Sequence, residues 1–174
     1  MALVAHVGTS VGWLGAVLVS LVLGVVGLCS TDPVVTRSVY VTLESMGWWT
    51  LVPLSLASLG TGLIQSAGTQ WGLVRHYWVI FKLLINLLAV AVLLLYMQTL
   101  EHLGQLARDA PDPAGLEQLR TPSPSIHAAA AMLLLTTALV LSVYKPRGLT
   151  PWAARPARTD SPSLRAEHGQ SEPR

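Results

Sequence analysis

Four apolar stretches, each about the length needed to cross a lipid bilayer, occupy most of this chain, at about 4–29, 48–66, 78–100 and 126–144. A hydrocarbon core about 30 Å thick requires about 20 mainly apolar residues in a helix. The pattern therefore predicts an all-α fold: a polytopic membrane protein built as a bundle of four transmembrane helices. Composition agrees, with 52% hydrophobic and 11% charged residues, where an ordinary soluble domain carries about 25% charged. One four-helix domain over 1–148 and a tail over 149–174 account for the 174 residues.

The sequence pI near 9.0 does not point to nucleic acid, because six of the eleven Lys and Arg residues lie after Tyr144. Cys29 is the only cysteine, which excludes an internal disulfide, a CxxC redox pair and a thiolate metal cluster. No Lys or Arg precedes the first apolar stretch, so the charged n-region of a cleaved signal is missing, and a retained helix is expected. Orientation follows the Lys and Arg content of the short connections. Arg75 and Lys82, and the run Lys145, Arg147, Arg155, Arg158, Arg165 and Arg174, fall on one side. Arg37, Arg108 and Arg120 fall on the other, among acidic residues. Both termini are thus expected in the cytoplasm, with the chain in the plasma membrane.

The connections differ in kind. Asp32-Pro33 reads as an N-cap followed by proline at the first helical position. The second helix is expected to begin there and project outward over 34–46, with Trp48 and Trp49 at the interface and a kink at Pro53. The Pro-rich stretch 104–125 is expected as an external loop with one helical turn around 116–119. The tail has too little apolar content to pack and is expected to be disordered.

Lipid solvates apolar side chains well, so helix association in a membrane relies on close backbone approach and on polar pairing. Gly8, Gly12, Ala16, Ser20 and Gly24 form a ridge of small residues along the first helix, a seam for another helix of this chain or for a second copy. Ser55, Ser58, Gly62, Gln65 and Thr69 form a polar stripe on the second. Lys82 and Asn86, four residues apart, share one face of the third. Two readings of Lys82 stand side by side: its ammonium snorkels to the surface, or Lys82, Asn86 and Gln65 cluster toward the bundle centre. An ammonium at mid-membrane costs about 3 kcal/mol.

Four of the five histidines stand at helix ends. His6 and His76 fall at the cytoplasmic level, His102 and His127 at the outer level. Two histidines at matching depth on neighbouring helices can supply both axial ligands of a haem iron, which makes His6, His76 and His127 candidate haem ligands. His102 and His127 are weaker candidates for copper or zinc, since the remaining ligands are unaccounted for.

His6 followed by Gly12-Trp13-Leu14-Gly15-Ala16 resembles the first helix of small bacterial membrane proteins related to copper-resistance protein D and to the protoporphyrinogen oxidase HemJ. The stretch GLIQSAGTQWGLVRHYWVIFKLL and the ending Val143-Tyr144-Lys145-Pro146-Arg147-Gly148 are similar to uncharacterised four-helix integral membrane proteins of actinobacteria. The resemblance covers about residues 4–150. It implies a haem b site on helix histidines, carried over to His6 and His127. The chain departs from the HemJ type in having no charged residue in its first helix, so the oxidase activity does not carry over.

Two classes of function follow. One is a non-catalytic membrane protein, a scaffold, accessory subunit or permeation component, since no nucleophile, base and oxyanion set is assembled. The other is a haem- or metal-binding protein of electron transfer or cofactor handling. The partners expected are the lipid bilayer and, through the first helix, a second copy of the chain.

Overall fold

A computed structural model describes residues 1–68, 76–109 and 119–144. Thr69, Arg75, Lys145, the expected turn apart from Leu119, and the tail over 149–174 lie outside the described residues. The described chain is all-helical, and four helices are long and apolar enough to cross a membrane: α1, Ala2–Cys29; α2, Pro33–Ala67; α3, Tyr77–Asp109; and α4, Ser123–Tyr144.

Each helix begins and ends for a local reason. α1 has no proline or charged residue and runs until Ser30 turns extended ahead of Asp32-Pro33. The Asp32 carboxylate accepts a hydrogen bond from the Val34 N–H at 2.8 Å, with Pro33 opening α2. This is the expected cap, which satisfies a backbone donor that the first turn leaves orphaned. Pro53 does not end α2. A π turn over Gly47–Leu51 precedes it, with the Val52 N–H reaching the Gly47 carbonyl. Proline has no N–H for the carbonyl four residues back, and a π turn re-registers the ladder at such a point. α3 and α4 both overrun the expected spans: α3 continues to Asp109, and α4 starts at Ser123.

The helices alternate in direction and each touches its neighbours around a square. α1 lies between α2 and α4, and α3 lies opposite α1, with no Cα pair of α1 and α3 within 8 Å among the described residues. At about 1.5 Å per residue, the 35 residues of α2 and the 33 of α3 exceed a 30 Å hydrocarbon core by about 20 Å. The surplus packs on itself. Val39, Tyr40 and Leu43 of α2 meet Met97, Leu100, Leu103 and Ala107 of α3, under Leu119. Arg108 closes this end with two bonds to Glu44, at 2.6 and 3.0 Å. Gly104 is the helical position that lets the Glu44 side chain lie against α3. The first turns of α2 thus have a partner, because the third helix extends beside them.

The small-residue ridge of α1 is used inside the chain, against two different helices. Gly12 faces Leu54 of α2, while a Cβ on Gly24 would stand 3.0 Å from Ser125 of α4. Ala16, Ser20 and Gly24 are buried. Gly8 is exposed with nothing within 4 Å of its Cβ position. Gly27, outside the expected ridge, is packed more tightly than any of these, with Val39 at 2.9 Å.

Candidate functional site

At the end of the bundle that holds the chain's N-terminus, polar residues from three helices converge on the axis. His6 of α1 is buried, 6% exposed. Its Nδ1 lies 3.1 Å from the Ser58 carbonyl oxygen and 3.3 Å from Thr61 Oγ1, both on α2. A carbonyl only accepts, so in the neutral ring Nδ1 carries the proton and Nε2 the lone pair. Lys82 of α3 donates to that lone pair, Nζ to Nε2 at 3.2 Å. Lys82 and His6 therefore bridge the diagonal between two helices whose backbones do not meet.

Local sequence makes this approach feasible. Gly62 sits one turn after Ser58, and a Cβ there would stand 3.0 Å from His6 Cε1. A Cβ at this position would oblige the imidazole to shift by a few tenths of an ångström. Around the ring the hydroxyls are committed: Thr61 donates to the Ala57 carbonyl at 2.6 Å, and Ser10 and Ser58 hydrogen-bond each other at 2.8 Å. None is held as a nucleophile against Nε2, which Lys82 occupies.

These groups open into a partly enclosed cleft of about 90 Å³, lined by His6, Ser58, Gln65, Lys82 and Asn86, with Trp78 beside them. Asn86 is buried, 9% exposed, and buried Gln65 Oε1 lacks a hydrogen-bond partner. No carboxylate of the described residues lines the cleft. Among the described residues, the acidic side chains Asp32, Glu44, Glu101 and Asp109 belong to the other end of α2 and α3. Toward the bundle centre, Trp13, Val17, Leu51, Ala89 and Leu135 close the cleft off with an apolar layer.

The structure brings Ser58, Gln65, Lys82 and Asn86 together with His6, and it turns Lys82 inward instead of toward the surface. Ser55 is fully buried but donates to its own helix, at the Val52 carbonyl. The role of Thr61 and Gly62 in holding His6 was not singled out from sequence beyond the stripe. Only the pairing of α1 with α2 shows it.

The histidines do not assemble a haem site. Both nitrogens of His6 are engaged and its ring is packed against Gly62, and neither His76 nor His127 lines its cleft. His76 rests near Trp78, with ring centroids 6.4 Å apart. His127 stacks on Tyr96 and lines a different cavity. The residues present do not fit haem b. His102 is exposed, and no group of three or more His, Cys, Asp and Glu side chains is placed to hold a metal among the described residues.

Comparison of the chain with protein-family models, with curated proteins and with solved structures returned no match.

Proposed function

We propose that this chain is a multi-pass protein of the plasma membrane, with both termini in the cytoplasm, whose function is to bind a small anion in the His6–Lys82 cleft. One observation carries the reading: the Lys82 amine on the bundle axis, 3.2 Å from the His6 imidazole, with no carboxylate lining the cleft among the described residues. A cation at membrane depth normally pairs with an acid or marks a ligand or ion path. Here no acid stands beside it among the described residues, and the Asn86 and Gln65 amides each bring an NH2 donor as well as an acceptor oxygen, so the lining can donate to a carboxylate or inorganic anion. A cleft of about 90 Å³ is far below the 300–1,000 Å³ of sites for drug-sized ligands. The committed hydroxyls support binding over catalysis, and the apolar layer beneath supports retention over free passage.

The test is thermal unfolding of the full chain in detergent at constant ionic strength. Formate, acetate, phosphate and chloride are titrated against gluconate as a bulky reference. One or more of the small anions should stabilise the protein, by about 2.7 kcal/mol at a hundred times its dissociation constant. Lys82→Met should abolish the effect. Equal response of the wild type and Lys82→Met, or none in the wild type, refutes the reading.

A further inference from the structure

A second cavity lies on the bundle axis beyond the apolar layer, and the anion cleft does not account for it. It measures about 100 Å³, and all four helices line it, among them Trp13 and Val17 of α1, Leu93 of α3, and Ala131 and Leu134 of α4. Its wall is apolar except for Ser20, whose hydroxyl donates to the Ala16 carbonyl of its own helix, and for Tyr96 and His127, which stack with ring centroids 3.9 Å apart and planes 16° from parallel. Nineteen helical residues separate Tyr77 from Tyr96, about 28 Å of rise. The pair therefore stands near the interface opposite the anion cleft, the level that aromatic side chains with a polar tip prefer.

The hydrogen bonds at that end leave one group uncommitted. His127 Nδ1 lies 2.9 Å from the Ser123 carbonyl, so Nδ1 donates and Nε2 keeps a lone pair. Tyr96 is occupied separately, its hydroxyl 3.0 Å from Ser123 Oγ. His127 is exposed at the edge of the cavity, so its acceptor stands at the mouth, with an alkyl-sized hollow behind it. The hollow exists because Ala89, Ala128 and Ala131 stand where larger residues would fill it. An engineered apolar cavity of about 150 Å³ stays dry and takes up benzene. A space of about 100 Å³ suits a few methylene groups, with the rest of the chain leaving through the open side.

We infer that this cavity binds a single-chain lipid whose head donates an O–H hydrogen bond to His127 Nε2, the chain lying between Trp13 and Ala131. A long-chain alcohol and a protonated fatty acid share that chemistry.

The test uses the full chain in lipid nanodiscs and a C12 alcohol carrying a diazirine in its tail, with labelled residues mapped by mass spectrometry. Dodecanol, lauric acid and dodecyl methyl ether are the competitors. Labelling is expected at Leu93, Ala131 or Leu134, and dodecanol should compete about fivefold better than the ether, the factor one net hydrogen bond supplies. Competition by lauric acid as well assigns the carboxyl source alongside the alcohol. His127→Phe should bring alcohol and ether to parity, and His127→Gln, which restores an acceptor, should keep the preference. Ala131→Trp should remove the labelling. An ether equal to the alcohol in the wild type overturns the proposal. So does label concentrated on the outward residues Leu95 and Leu133, or labelling that survives both His127→Phe with its preference intact and Ala131→Trp.

Discussion

Replacing Lys82 by Met should stabilise the protein, and the amount follows from its position. An ammonium at the centre of a membrane helix costs about 3 kcal/mol. Lys82 is the sixth residue of α3, about 8 Å from the helix start against a half-thickness of about 15 Å. About half of the full cost, about 1.5 kcal/mol, therefore applies. Methionine removes it but also removes the bond to His6, and interhelical hydrogen bonds in membranes average about 0.6 kcal/mol. The net gain expected is about 1 kcal/mol. His6→Phe should destabilise instead, since it leaves the ammonium without its acceptor. In that background Lys82→Met loses no hydrogen bond and should recover the whole of about 1.5 kcal/mol. The double-mutant cycle therefore closes on a coupling of about 0.6 kcal/mol. Unfolding in mixed micelles with increasing dodecyl sulfate measures all four corners. Destabilisation by Lys82→Met exceeding about 1 kcal/mol would show that Lys82 is a structural strut and not a binding group.

Further expectations concern packing, cofactor and orientation. Gly27→Leu should destabilise by about 1–3 kcal/mol through overpacking, because its Cβ would stand 2.9 Å from Val39, whereas Gly8→Leu should leave stability unchanged in the same micelle assay. A change of oligomeric state in Gly8→Leu, read by light scattering, would move that end of α1 into an interface between copies. Haemin added to the purified protein should give no bis-histidine spectrum, and a Soret band lost in His6→Ala or His127→Ala would contradict the assignment of both rings. In a Cys29→Ala background, needed because Cys29 is exposed, a cysteine at Ala114 should react with an impermeant thiol reagent on intact cells and one at Ser163 should not. The reverse pattern would invert the orientation.

Much of the fold was legible because helices long and apolar enough to cross a membrane advertise themselves by length and apolarity. The Asp32-Pro33 start of α2 could be read directly, since a cap depends on neighbours in sequence. The fate of Pro53 could not. A π turn forms just ahead of it, where Met97 packs against Gly47 from the neighbouring helix. The continuation of α3 to Asp109 was hidden for a similar reason. Its last turns are held by α2 and the Glu44–Arg108 pair, contacts between residues 64 positions apart.

The candidate site divides the same way. Periodicity alone placed Ser58 and Gln65 on one face of α2, and Lys82 and Asn86 on one face of α3. It also put His6 on the face of α1 that carries Trp13 and Val17, all three of which are buried. What periodicity cannot determine is which faces meet. Side chains repeat every 3.6 residues along a helix, but the rotation of one helix against another is set by packing across the bundle. Four apolar spans therefore follow from the sequence by itself, since each is a property of one continuous stretch of chain. The bridge from Lys82 to His6 was decided only by the tertiary structure. It depends on α1 and α3 standing diagonally opposed, an arrangement no single segment encodes.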